Sequence, residues 1–159
     1  MVELRDRTEQ HVRIYFERTQ DPEIQALISQ SAKTVEDAVS LFQKTLLPGA
    51  TSFGRTIYMD GQYVGDIWCY CINHDEEPNA MISYCLFEKS LWNKGIATAA
   101  VAQFLDEIAP RFSLETIGAF TYCDNTPSIR VLEKNGFSKM EEFTDDGKLS
   151  AYFQKAYPA

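Results

Sequence analysis

“SLWNKGIATAAVAQFL”, Ser90 to Leu105, marks the point where a strand-like pattern turns helical, and its reading decides the fold. From Gly95 to Ile108, the residues Ala97, Ala100, Val101, Phe104, Leu105 and Ile108 form one stripe at a spacing of three to four, as in a helix laid against a sheet. Its alanines permit close helix-to-sheet packing. Packing does not account for Gly95, which tolerates positive φ and lets a ligand or another backbone approach, nor for Lys94 beside it. A helix N-terminus with unpaired N–H groups and a neighbouring cation suits a phosphate, although a plain strand-to-helix turn looks the same on this segment alone.

Working outward, “MISYCLFE” (81–88) and “TIGAFTYC” (116–123) read as strands on either side of that helix. A crossover of this length permits a parallel, right-handed pair. Upstream, “SFGRTIYMDGQYVGDIWCYCI” (52–72) is a β-hairpin folded at Asp60-Gly61, and “NHDEEPNA” (73–80) is a loop. “VELRDRT” (2–8) alternates as a first strand. Two helical pieces follow, Glu9 to Thr19 and Pro22 to Ser31, then “TVEDAVSLFQKTLL” (34–47), capped by Thr34, with Val35, Ala38, Val39, Phe42 and Leu46 on one face and Pro48-Gly49 as its stop. “SKMEEFT” and “LSAYFQKA” close the chain as a strand pair across “DDGK”. The pattern predicts an α/β (α+β) architecture: helices against a mixed, mostly antiparallel sheet with one central parallel pair.

The 159 residues, 45% of them hydrophobic, suffice for one core, so the expectation is a single domain over 1–159. No apolar run approaches a membrane span, and the charged beginning carries no apolar leader segment, which makes a cytoplasmic protein with no membrane partner the expectation. Cys69, Cys71, Cys85 and Cys123 lie in apolar, strand-like segments without paired spacing or nearby histidines, so they read as reduced core thiols and no metal is expected. A net charge of −8 removes the basic footprint of a nucleic-acid binder while leaving room for a cationic substrate. No G-x-G-x-x-G follows a strand, which disfavours a flavin or nicotinamide enzyme.

A second motif follows. In “CDNTPSIRVLEKNGF” (123–137), Thr126 can cap a helix with Pro127 at its first position, while Gly136 fits the turn that lets Phe137 pack back on Leu132. Asn125 is then a surplus polar side chain or is itself the cap; Ser128 is a second surplus group or an exposed hydroxyl of the first turn. Both stand at the end of the strand parallel to the one that feeds Gly95.

Taken in order, Trp92-Asn93-Lys94-Gly95-Ile96-Ala97, Asn125-x-x-Ser128 and Leu132-Glu133-Lys134-Asn135-Gly136-Phe137 resemble the GNAT superfamily of acyl-CoA-dependent N-acetyltransferases, and within it the RimJ/RimL-like branch that acetylates ribosomal-protein N-termini. The likeness covers nearly the whole chain. It implies that the N–H groups of Asn93, Lys94, Gly95, Ile96, Ala97 and Thr98 hold the CoA pyrophosphate, with Asn125 and Ser128 lining the cofactor. It also implies that the strand ending near Glu88 is bulged and splays from its parallel neighbour, so that pantetheine pairs with the edge at Leu86, Phe87 and Glu88. Departures from the family pattern fall in two places: in the phosphate loop Trp92 stands where Gln or Arg is usual, a change common in the resembled branch, and Asn93 where glycine is frequent, while Leu132 stands where many relatives carry a tyrosine that protonates the CoA thiolate. Ser128 is the substitute acid by position.

No base stands out. Asp66, Glu88 and Glu142 are carboxylates near expected strand ends, each of which also reads as a solvated charge; Glu88, beside the expected opening, joins Ser128 as the catalytic candidate. Tyr84 and Tyr122 line the acceptor slot or pack in the core, and His11 and His74 fall in a surface helix and an acidic loop. A weak base inventory favours an acceptor that is partly neutral unaided. An α-amine, titrating near 7.7–8.0, meets that condition and a lysine amine near 10.4 does not. The expected function is direct transfer of acetyl from acetyl-CoA to a primary amine, leaning to a protein or peptide N-terminus. The alternatives are acetylation of a small-molecule amine such as a polyamine or antibiotic, or a non-catalytic acyl-CoA-binding module, in a monomer or homodimer.

Overall fold

The computed structural model describes residues 1–28 and 30–157. Its chain order is β1 (Val2–Arg5), α1 (Glu9–Arg18), α2 (Pro22–Gln25), α3 (Val35–Lys44), β2 (Phe53–Met59), β3 (Gln62–Asn73), β4 (Asn79–Leu86), α4 (Ile96–Arg111), β5 (Thr116–Tyr122), α5 (Thr126–Lys134), β6 (Ser138–Asp145) and β7 (Lys148–Ala156). The seven strands form one sheet in the order β1-β2-β3-β4-β5-β7-β6, antiparallel except for β4 and β5. The mixed sheet predicted from the pattern is therefore observed.

Three of its features position the site. Asp60 and Gly61 both have positive φ (50° and 82°), the tight turn that sets the β2–β3 register. The crossover helix α4 packs on one face of the sheet, where Ala100, Val101, Phe104 and Ile108 are completely buried; each large side chain among them contributes roughly 1.5–3 kcal/mol. Helices α1 and α2 cover part of the opposite face through Tyr15 and Ile24 against Cys85 and Phe87, and α3 packs on α1 through Val39 and Phe42 against Val12.

The parallel pair is short. β4 meets β5 only at Asn79↔Thr116, Ala80↔Ile117 and Met81↔Gly118, whereas β5 stays with β7 from Thr116 to Tyr122 and β4 stays with β3 as far as Leu86. Each strand follows its antiparallel partner, and the two part beyond Met81. The bulge expected near Glu88 is not what opens them. The β3–β4 register runs unbroken from Met81 to Leu86 and continues with Phe87 N–H donating to Val64 O; its shift lies between Tyr70 and Asn73.

Other local expectations change as well. The second helical piece is α2 alone, ending at Gln25, with the described residues beyond it irregular; Ser29 lies outside the described residues. α3 stops at Lys44, before Leu46, which is two-thirds exposed. Cys71 is exposed and Cys123 half-buried, so only Cys69 and Cys85 are core thiols. No helix among the described residues is long and apolar enough to cross a membrane.

Candidate active site

The quoted stretch forms the first wall of the site. After a single 3-10 turn at Lys89–Leu91, Asn93 and Gly95 both take positive φ (62° and 80°), and α4 begins at Ile96 with no side-chain cap. Alternating handedness of this kind turns successive N–H groups to one side, and none of those from Asn93 to Thr98 finds an acceptor among the described residues. Space beside Gly95 Cα is open, so the glycine is required by its φ and by what approaches it. Trp92 anchors the loop: its indole N–H donates to Leu86 O at 2.9 Å. That bond gives a physical use to the residue that departs from the family pattern.

The second wall is the open edge of β4. Pairing alternates along a strand, and Phe87 N–H is turned to β3, so Ile82, Tyr84 and Leu86 direct their N–H and C=O groups toward the vacated β5 side. Of the edge expected at Leu86, Phe87 and Glu88, the Phe87 N–H and Leu86 carbonyl are therefore already taken. Across the gap stands α5. Asn125, rather than Thr126, is its N-cap, with Oδ1 accepting from Ser128 N–H at 3.3 Å; Pro127 consequently sits one position further in. The other end closes as expected: Phe137 N–H donates to Leu132 O and Gly136 N–H to Glu133 O. Asn135 donates to Thr98 O and Val131 O, tying α5 to the first turn of α4.

Ser128 faces Tyr84, their hydroxyl oxygens 2.8 Å apart. Burial pushes the Tyr84 phenol up to about 12, against the pull of Ser128, so it stays protonated at any working pH and is a donor rather than a base. Glu88 has a different environment. It accepts from Arg18 at 3.0 Å and from Ser90, does not line the cleft, and is held below the ordinary glutamate range by Arg18. Phe87, 3% exposed, packs beneath α1. Glu142 is exposed and paired with Lys139.

A cleft of about 1550 Å³ runs from the 93–98 loop through the gap between β4 and β5 to a second chamber under α1 and α3, walled by Tyr15, Phe42, Trp68 and Tyr70. Behind Arg7, which lines the cleft, lies Asp66. This residue is fully buried in mid-strand rather than solvated near a strand end: Tyr63 OH donates to Oδ1 at 2.6 Å, and Arg7 Nε lies 3.0 Å from Oδ2. Burial pushes its carboxyl up to about 6, with Arg7 and Tyr63 pulling back. His11 serves structure, its Nδ1 in the cap with Thr8 and its Nε2 2.7 Å from Tyr58 OH.

Charge in the cleft runs against the chain. The whole protein carries −8, yet among the described residues the lining includes Arg7, Lys44, Lys94, Arg130 and Lys134 against only Asp124 and Asp145, both exposed. A field of this sign suits an anionic ligand. Arg130 and Lys134 were missed by sequence reasoning, although their i, i+4 spacing on α5 puts them on one face. The structure thus brings Asn93 to Thr98, Leu86, Asn125 and Ser128 onto one cleft and leaves Glu88 and Phe87 off it.

Residues 2–138 match the family model described as the acetyltransferase (GNAT) domain. No curated protein sequence matches the chain. Among solved structures, the chain resembles a spermidine N-acetyltransferase from Vibrio cholerae in complex with CoA and spermine, at TM-score 0.84 and 14% identity, covering 98% of this chain and 95% of that one. It is likewise similar to the aminoglycoside acetyltransferase AAC(6')-Ib in complex with coenzyme A, at TM-score 0.82 and 19% identity over 98% and 95% of the two chains. Mycobacterium smegmatis RimJ in complex with CoA-disulfide gives TM-score 0.83 and 22% identity over 98% and 81%.

Proposed function

The chain belongs to the acetyltransferase (GNAT) domain family, and on that premise we propose that it transfers acetyl from acetyl-CoA directly to a primary amine, with a lean to an α-amine. The observation that carries this reading is the continuity of the cleft. One space joins a loop of free N–H groups to an aromatic chamber on the far face of the sheet, through a gap lined by polar strand-edge groups and two hydroxyls.

The pyrophosphate sits on the 93–98 loop, with Lys94, Arg130 and Lys134 supplying positive charge around it. Pantetheine adds to the open edge of β4 at Tyr84 and Leu86 as an extra strand would. The thioester then lies in the gap. The acceptor amine enters from the aromatic chamber, its lone pair attacks the carbonyl carbon, and a strand-edge N–H stabilises the oxyanion. As the tetrahedral intermediate collapses, the C–S bond breaks, the attacking nitrogen gives its extra proton to solvent, and the thiolate takes one from Ser128, which is reprotonated from solvent through Tyr84.

The acceptor must supply its own neutral amine, because no unpaired carboxylate lines the chamber among the described residues. That favours an α-amine over a lysine-type amine. It also counts against a polycation, which needs carboxylates to receive its further charges. The RimJ-like reading, a protein or peptide N-terminus, is therefore preferred to a polyamine or aminoglycoside. Release of CoA thiol from acetyl-CoA with a panel of peptides, amino acids, polyamines and aminoglycosides tests the reaction. Amine-dependent release supports it; CoA binding without release under every amine would make the chain a non-catalytic acyl-CoA-binding module.

A further inference from the structure

We infer that Arg7 is the acceptor-recognition group of the cleft and that the acceptor carries, near the amine it offers, a carboxylate. The inference rests on the acetyl-transfer reading and deepens it by naming the acceptor's second functional group.

Arg7 follows β1 in “LRDRT”, just before the cap of α1. A charged residue in such a connection ordinarily points to water. This one turns inward: its side chain is one-fifth exposed and lies against Asp66, whose side chain is almost wholly buried. Asp66 accepts from Tyr63 OH at Oδ1, while its Oδ2 and Arg7 Nε, both buried and 3.0 Å apart, form an ion pair without hydrogen-bond geometry. The guanidinium meets Asp66 as an ion pair and makes no hydrogen bond to any described residue. Among the described residues no other carboxylate, carbonyl or hydroxyl pairs with Arg7, and Arg7 lines the cleft, so its Nη donors are free for an occupant of the chamber.

Aromatic rings flank the guanidinium. The guanidinium carbon lies 5.9 Å from the Tyr15 ring centre and 5.8 Å from that of Phe42. Gly54 leaves room below: a Cβ there would come within 3.7 Å of Arg7 Cδ and 3.3 Å of Trp68 Cβ. A side chain larger than that Cβ would displace one or the other. The pair also lies close to the chemistry, since Asp66 is directly opposite Cys85 in the β3–β4 register, and Cys85 adjoins Tyr84 at the gap. Opposed residues in such a pair have Cα atoms about 4.5–5.5 Å apart.

A planar fork with free donors in an aromatic chamber matches a carboxylate better than a single point acceptor. The same fork repels a second cationic centre on the acceptor, and no Asp or Glu among the described residues of the chamber wall compensates. The carboxylate can belong to a free α-amino acid or to an acidic residue at the start of a peptide.

The test measures CoA release with matched acceptors: methionine against methioninamide, peptides beginning with Asp or Glu against the same peptides beginning with Asn or Gln, and spermidine. The expected result is at least a tenfold advantage in kcat/KM for the carboxylate member of one pair. The pair that shows it identifies the source. Arg7→Gln should abolish that advantage by raising KM far more for the carboxylate acceptor than for its amide, and Arg7→Lys should retain part of it. Equal use of acid and amide, or preference for spermidine, overturns the inference while leaving acetyl transfer intact. Loss of all turnover with every amine would instead count against the reaction itself. Calorimetry on CoA-loaded wild-type protein decides the inference independently of turnover and of variant folding: N-acetylmethionine or an N-acetyl-aspartyl peptide should bind at least tenfold more tightly than its amide counterpart, and equal affinity in both comparisons overturns it.

Discussion

Ser128 Oγ lies 2.8 Å from Tyr84 Oη, across the space left where β4 and β5 part. Either hydroxyl can be the donor, and with the Tyr84 phenol pushed up to about 12 the pair holds its protons throughout the working range. Ser128→Ala and Tyr84→Phe should each lower kcat and kcat/KM together, by no more than about 100-fold, the bottom of the usual range for a general acid, because a CoA thiolate is already a good leaving group. The loss should grow as pH rises and solvent protons become scarce. The double variant should be little worse than either single one, since both belong to one proton path. Wild-type kcat in Ser128→Ala across the pH range would reduce the pair to a packing contact.

Asn125 caps α5 through Oδ1, so Asn125→Ala should cost on the order of 1 kcal/mol, a fall in Tm of roughly 2–4 °C for a chain of this size. Asn125→Asp keeps the acceptor oxygen and should preserve stability. It also adds a negative charge beside the proposed cofactor path, so acetyl-CoA affinity should fall in the aspartate variant more than in the alanine variant. Thermal unfolding together with calorimetric titration of CoA separates the two effects, and the opposite ranking would place Asn125 away from the cofactor.

The parts of this site that depend on neighbours in sequence were legible; those that depend on competition between distant strands were not. Gly95, the Asp60-Gly61 turn and the Gly136 ending announce their own backbone, because each needs a φ that few residues adopt. The end of β4–β5 pairing at Met81↔Gly118 is set by where β3 and β7 draw their partners, which no local pattern encodes. Asp66 was legible in principle. Ile67 and Cys69 on one face of β3, and Trp68 and Tyr70 on the other, mark a strand covered on both sides, in which a carboxylate has to find an internal partner. Its partner, Arg7, lies 59 residues away, and nothing in “LRDRT” shows which of its two arginines turns inward.

Gly95→Val places a β-branched residue at φ +80°, in the open space beside the 93–98 loop. Backbone strain there should cost about 1–3 kcal/mol of stability. The larger effect should be on CoA, because the loop can no longer present its N–H groups together; affinity should fall by well over tenfold. Calorimetry on the folded variant checks this, and unchanged affinity would remove the phosphate-loop assignment.

Asp66 gives the protein a pH dependence opposite in sign to that of a surface ion pair. Its carboxyl titrates near 6 in the folded chain against an ordinary 3.8, burial outweighing the attraction of Arg7 and the hydrogen bond from Tyr63. Below about 3.8 the group is protonated in both folded and unfolded chains, and above about 6 it is ionised in both. Between those values the folded state binds more protons, so stability falls as pH rises through the window. Asp66→Asn lacks this titration. Urea unfolding of both proteins at a series of pH values should therefore show wild type losing stability relative to the variant from about pH 4 to about pH 6.5, then running parallel to it. Arg7→Met, which removes the opposing charge, should move the carboxyl higher and extend the loss to higher pH. A wild type that instead gains on Asp66→Asn as pH rises would mean that Arg7 outweighs burial, and that the pair behaves as an ion pair of ordinary sign.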